Sequence, residues 1–152
     1  MSVFALFTWF VTVFAGLYLL AIWLIEYDIG APGGAVTRLP RTVVGGHVLL
    51  AASGLGAWVG YLIVDRDMLA WIALATLVAV ALLGFTMLGR WFLVRRAISA
   101  TLRARPRDAF APARAAMPAE SHFPVPVVVA HGLLAVSTLT LVGLTCLGMG
   151  GS

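Results

Sequence analysis

The sequence has little charge and only one cysteine, and each shortage excludes a class of protein or of site. Only 11% of its 152 residues are charged and 62% are hydrophobic, which excludes an ordinary soluble domain and indicates an integral membrane protein. The single cysteine, Cys146, excludes an internal disulfide and a cysteine-based metal site. The chain also has no catalytic serine or cysteine constellation and no phosphate-binding glycine loop.

Four apolar runs are long enough to cross a hydrocarbon core of about 30 Å, which takes about 20 helical residues. They lie near residues 3–25, 43–64, 69–94 and 125–147 and predict an all-α fold, an integral membrane four-helix bundle in one domain. The very short segment 65–67 makes helices 2 and 3 antiparallel neighbours. An arginine-rich loop is expected at about 97–123, and its first part could extend helix 3. Because the first run lacks a basic segment and is too long for a signal peptide, we expect a retained helix.

The arginines predict the orientation of the bundle. Nine of the ten lie in the first and third loops and at the end of helix 3, and only Arg66 lies between helices 2 and 3. The positive-inside rule then places those loops in the cytoplasm and both termini on the outer face of the cell membrane. Because the arginines lie in loops between membrane spans and set topology, the net charge of +4 predicts no nucleic-acid partner. The apolar spans predict a lipid bilayer environment.

A 16-residue sequence segment is repeated, at residues 40–55 and 124–139, with nine identical positions at a constant offset of 84. It places His47 and His131 seven residues after equivalent prolines, about 10 Å into parallel helices. A histidine inside a membrane span is costly and indicates function by default. The two histidines therefore form a candidate pair of metal ligands.

Helices 1 and 3 carry a second, weaker repeat. Gly16 precedes Trp23 by seven residues, and Gly84 precedes Trp91 by the same distance. If both tryptophans mark the membrane interface, the glycines lie at the depth of the histidines. The simplest interpretation is a duplicated helix hairpin, helices 1–2 and 3–4, with a pseudo-twofold axis along the membrane normal.

Two facing imidazoles in a four-helix bundle are suited to axial ligation of haem iron. Gly16 and Gly84 would leave room for the porphyrin edges, and Ala51 and Ala135, one turn beyond the histidines, would do the same. The haem propionates would face the basic end of the bundle. The arginines available there are Arg38, Arg41, Arg90 and Arg95.

On these histidines and glycines the layout resembles the b-type membrane cytochromes, cytochrome b and cytochrome b561 relatives. The resemblance implies a haem b membrane protein that carries electrons to or from a quinone or a partner redox protein at the cytoplasmic leaflet. This chain offers one intramembrane histidine per ligand helix, so one haem is expected. The haem would be noncovalent because no Cys-x-x-Cys-His is present.

Other interpretations remain open. The histidines could hydrogen-bond to neighbouring helices in a non-redox membrane subunit or anchor of a larger complex, or serve as a proton or metal relay in a small transporter. The glycines could be helix-packing points only. A zinc site is disfavoured because no acidic residue lies at that depth. His122, beside Glu120, is expected to be solvated, and Glu26 is expected to be a flanking charge.

Overall fold

The computed structural model describes residues 2–26, 37–104 and 118–149. Within these ranges the chain is helical and contains no strand. Its helices are α1 (Ser2–Glu26), α2 (Arg41–Val64), α3 (Asp67–Ala104) and α4 (Val125–Cys146), with a short 3-10 turn at Ala119–His122 before α4. All four α-helices are long and apolar enough to cross a membrane. The predicted four-helix membrane bundle is confirmed.

The helix boundaries follow from proline and from one left-handed residue. Pro40 and Pro124 precede α2 and α4 in extended conformation, and each carbonyl accepts the first two backbone hydrogen bonds of its helix. Helix α2 ends at Asp65, whose φ of 52° is tolerated by a short polar side chain and whose N–H donates to the Tyr61 carbonyl. Helix α3 continues to Ala104, well past the predicted boundary at Val94, and so includes the extension that the sequence allowed.

The helices form a ring in the order α1, α2, α3, α4. The most extensive contacts join α2 to α3 and α1 to α4, with less contact between α3 and α4 and little between α1 and α2. The predicted antiparallel pairing of helices 2 and 3 is therefore confirmed. Close packing runs between the two sequence repeats rather than within each repeat. The histidine-bearing helices α2 and α4 occupy opposite corners, and the glycine-bearing helices α1 and α3 occupy the other two.

Two apolar clusters fill the bundle at different depths. One lies at the hairpin end, which we define by residues 65–67 and the start of α1. It consists of Ala5, Trp9, Trp58, Ala70, Ala73, Leu77 and Val142. The other lies at the arginine-rich end, which we define by Arg38, Arg41, Arg90 and Arg95. It consists of Trp23, Leu39, Val44 and Ala119. The histidines and glycines lie between these clusters, at an intermediate level of the bundle.

The outer surface of the bundle is apolar. Large hydrophobic side chains that would be buried in a soluble protein are exposed on every helix, among them Phe7, Ile63, Leu82 and Leu133. Such a continuous apolar surface needs lipid around it. The protein is therefore a multi-pass membrane protein.

Candidate functional site

The two repeat-related histidines meet at the centre of the bundle. The ring centroids of His47 and His131 are 6.3 Å apart, and the ring planes are tilted by 53°. Each ring reaches inward from one corner of the helix ring, although 84 residues separate the two in sequence. The structure thus brings together His47 and His131, the two histidines that the repeated segment identified as candidate ligands.

Each imidazole is held by a backbone carbonyl of the helix beside it. His47 Nδ1 lies 3.1 Å from the Val80 carbonyl oxygen on α3, and His131 Nδ1 lies 3.0 Å from the Thr12 carbonyl oxygen on α1. A carbonyl can only accept, so Nδ1 carries the proton in both rings. In a neutral imidazole this tautomer leaves Nε2 as the unprotonated, metal-binding nitrogen.

Gly16 and Gly84 lie directly against the imidazoles. A Cβ built on Gly16 would stand 3.0 Å from His131 Cε1, and one built on Gly84 would stand 3.3 Å from His47 Cε1. Both distances are shorter than the ordinary van der Waals range of 3.4–4 Å. The glycines therefore allow the Cε1 edge of each imidazole to approach the neighbouring helix closely, a role that the sequence did not assign to them.

The two halves of the site are built alike. On α1 the carbonyl residue Thr12 precedes Gly16 by one turn, and on α3 Val80 precedes Gly84 by one turn. Residues four apart share a helix face, so the carbonyl and the glycine jointly receive one imidazole. The same construction at two places, with a constant offset of 68 between α1 and α3, is what the predicted pseudo-twofold repeat requires.

The remaining residues predicted to surround a cofactor fall into two groups. Ala51 and Ala135 are partly buried, one turn beyond the histidines toward the hairpin end. The four arginines lie at the opposite end, where Arg90 Nη1 donates to the Arg38 carbonyl at 3.1 Å and Arg41 opens α2. Arg95 stacks on the Trp91 ring, with its Cζ 5.2 Å from the ring centroid. Arg38 and Arg90 are thus brought together, whereas Arg95 is engaged with an aromatic ring.

Glu120 is a structural residue that sequence analysis missed. Its side chain is fully buried, and its carboxylate accepts hydrogen bonds from the Thr37 hydroxyl at 3.0 Å and the Arg38 backbone N–H at 2.8 Å. Thr37 in turn accepts from the Trp23 indole N–H at 3.0 Å. This network joins α1, the segment before α2 and the segment before α4. One signal was available, because Glu120 is an acid where the first repeat has a valine, Val36.

The equivalent positions in the second repeat have no such network. Trp91 corresponds to Trp23, and Ser121 corresponds to Thr37. Among the described residues, Trp91 Nε1 and Ser121 Oγ are buried without a hydrogen-bond partner. The repeat is therefore faithful at the histidine level and diverges at the arginine-rich end.

His122 lies at the surface, away from the histidine pair. Its Nδ1 is 3.6 Å from Glu26 Oε2, and their side chains are 42% and 40% exposed. No group of three or more histidine, cysteine, aspartate or glutamate side chains suited to a metal occurs within residues 2–26, 37–104 and 118–149.

Comparisons with protein-family models, with curated proteins and with solved structures found no match for this chain.

Proposed function

We propose that this membrane protein binds one haem b noncovalently, with His47 and His131 as its axial ligands, and carries electrons. The observation that carries the proposal is the imidazole pair at the centre of the bundle, with ring centroids 6.3 Å apart. Metal–imidazole nitrogen bonds of about 2.0 Å and ring radii of about 1.1 Å would put two collinear axial imidazoles about 6 Å apart, centre to centre. The observed separation suits that arrangement.

The hydrogen bonds of the pair support the same function. Metal-binding histidines almost always donate their other ring N–H to a carboxylate, a carbonyl or water, which fixes the tautomer and orients the ring. The Val80 and Thr12 carbonyls fill that role for His47 and His131. The number of ligands also favours haem over zinc. Zinc takes three or four protein ligands, whereas a porphyrin supplies four nitrogens and leaves two axial positions.

When bound, haem would supply one-electron redox chemistry, and the chain would position it and set its environment. Two axial histidines leave no open site on the metal, which favours electron transfer over oxygen binding. The Arg90 guanidinium contacts the Arg38 backbone carbonyl at the arginine-rich end, where arginine side chains could hold propionates through charge-assisted hydrogen bonds. A quinone or a partner redox subunit would exchange electrons at that end.

We further propose that the protein lies in the cell membrane with its arginine-rich end in the cytoplasm. The nine-to-one distribution of arginines supports this orientation through the positive-inside rule. Both termini then face outward, and His47 and His131 lie about 10 Å from the cytoplasmic ends of their helices.

One observation favours a second candidate, a non-redox membrane subunit. Each histidine already links two helices, α2 to α3 and α4 to α1, through its hydrogen bond to a carbonyl. Such bonds could serve helix packing alone. This role requires only one ring nitrogen, and it gives no account of why the two rings converge on each other.

A spectroscopic measurement separates the two functions. Full-length protein is expressed with ample haem supply, purified in detergent and analysed for its absorption spectrum and its iron content. We expect a Soret band, a reducible low-spin spectrum and about one iron per chain, as two axial histidines imply. A preparation without a Soret band or iron, both as purified and after incubation with haemin, would leave the packing role as the conclusion.

A further inference from the structure

A cavity lies outside the histidine site, at the arginine-rich end. It has a volume of about 690 Å³ and opens between the last turns of α3 and the first turns of α4. Three arginines, Arg95, Arg96 and Arg103, contribute to its walls. Among the described residues that line the cavity, these three carry a positive charge and none is acidic.

The aromatic residues of α3 that line the cavity precede the arginines along the helix. Trp91, Arg95, Ser99 and Arg103 are spaced four apart and share one face of the helix. At 1.5 Å per residue, Arg95 lies about 6 Å and Arg103 about 18 Å beyond Trp91, away from the histidine level. The sequence along this face thus runs from an aromatic ring to guanidinium groups, as expected across the interface between hydrocarbon and lipid headgroups.

The opposite wall, on α4, is apolar. It is formed by Val125 and Val129, which precede His131 by six and two residues. Val129 therefore lies about 3 Å from the histidine level and Val125 about 9 Å from it. The cavity accordingly has an apolar inner wall, formed by these valines, and a cationic outer part, formed by the arginines.

Aromatic rings hold two of the arginine side chains in place, and the buried indole N–H of Trp91 has no hydrogen-bond partner among the described residues. Arg95 Cζ lies 5.2 Å from the Trp91 ring centroid, and Arg96 Cζ lies 4.5 Å from the Phe92 ring centroid. Stacking of this kind limits guanidinium motion while leaving its N–H groups free to face an anion. Trp91 is 7% exposed, and its Nε1 has no hydrogen-bond partner among the described residues.

We propose that this cavity binds an anionic phospholipid, with its phosphate on the arginines and an acyl chain against the valine wall. Guanidinium groups recognise phosphate oxygens in bidentate geometry, and basic pockets between membrane helices are suited to anionic headgroups. A free phosphate would use the arginines but not the apolar wall. We assign a lipid because the cavity has both a cationic part and an apolar wall. The arginines lie toward the headgroup level and the valines toward the hydrocarbon, as in a bilayer.

The test is a titration of the detergent-purified full-length protein by native mass spectrometry. Phosphatidylglycerol is compared with phosphatidylcholine of the same acyl chains. We expect one saturable phosphatidylglycerol per protein and much weaker phosphatidylcholine binding. Removing two arginines with R96Q/R103Q should weaken phosphatidylglycerol binding about 25-fold, at roughly fivefold per arginine near an anionic group.

Two further variants keep this test decisive. R66Q removes an exposed arginine at the hairpin end, outside the cavity, and should leave binding unchanged. Ser99→Trp fills the cavity from an exposed helix position without changing charge, and it should also weaken binding even if R96Q/R103Q inserts poorly. Equal binding of both lipids, an equal loss with R66Q, or full competition by millimolar glycerol phosphate would each overturn the assignment to a phospholipid.

Discussion

Replacing the two glycines by alanine tests the construction of the histidine site, and the structure predicts unequal effects. In Gly16→Ala the new Cβ would stand 3.0 Å from His131 Cε1, and in Gly84→Ala it would stand 3.3 Å from His47 Cε1. The His131 ring cannot retreat freely, because its Nδ1 is bound to the Thr12 carbonyl at 3.0 Å. Gly16 is therefore expected to be the more sensitive position.

The magnitude follows from two opposing contributions. Overpacking costs about 1–3 kcal/mol, and alanine gains about 1 kcal/mol over glycine in a helix. We expect Gly16→Ala to lose about 1–2 kcal/mol of stability and Gly84→Ala to change it by less than about 1 kcal/mol. Gly132 and Gly89 are matched controls on α4 and α3, since a Cβ there meets nothing within 4 Å. Their alanine variants should be neutral or more stable.

The assay is denaturant or thermal unfolding in detergent, followed by helical circular dichroism. The expected order of stability places both controls first, then Gly84→Ala, then Gly16→Ala. If haem is bound between the histidines, haem occupancy should fall in the same order, because displacing a ligand ring disturbs axial ligation. Equal stability of Gly16→Ala and Gly132→Ala would refute the close contact between Gly16 and His131.

Two other predictions concern the arginine-rich end and the orientation. Glu120→Ala leaves the Thr37 hydroxyl and the Arg38 N–H without their acceptor, so unfolding measurements should show a loss of about 2 kcal/mol, whereas Glu26→Ala at the surface should stay within about 0.5 kcal/mol. A similar loss for both would mean that Glu120 is not buried as described. Reporter fusions after Ser152 and at a site between Arg103 and Arg114 should report opposite sides of the membrane, with the second site inside. The same side for both would contradict four spans.

The sequence predicted the spans and the histidine pair because both depend on local or repeated signals. Hydropathy alone marks a run of about 20 apolar residues. The repeated segment placed His47 and His131 at the same depth in the membrane. Equivalent residues on two parallel helices keep a common depth in any bundle. The extension of α3 to Ala104 was also within reach, because no proline or glycine interrupts the chain between Trp91 and Ala104.

The parts that could not be predicted depend on which helices touch. Hydropathy gives no neighbours beyond the short hairpin, so the close packing of α1 with α4 was not foreseen. The contact of each glycine with an imidazole follows from that packing. Glu120 and Thr37 are 83 residues apart, and only the folded arrangement turns an apparent surface acid into a buried acceptor. The hydrogen bonds to the Val80 and Thr12 carbonyls could not be predicted either, because they depend on the folded arrangement and involve backbone atoms that sequence patterns do not distinguish.

The central claim is that His47 and His131 act together on one metal, and a set of three variants tests it most directly. The haem spectrum and iron content are measured for His47→Ala, His131→Ala and the double variant, each loaded with haem under identical conditions. Two ligands of one metal behave as a unit, so each single variant should lose the low-spin spectrum as completely as the double variant does. If the histidines only pack, each variant should cost about 0.5–2 kcal/mol of stability, and the two costs should add. Full haem content and an unchanged spectrum in both single variants would contradict the account.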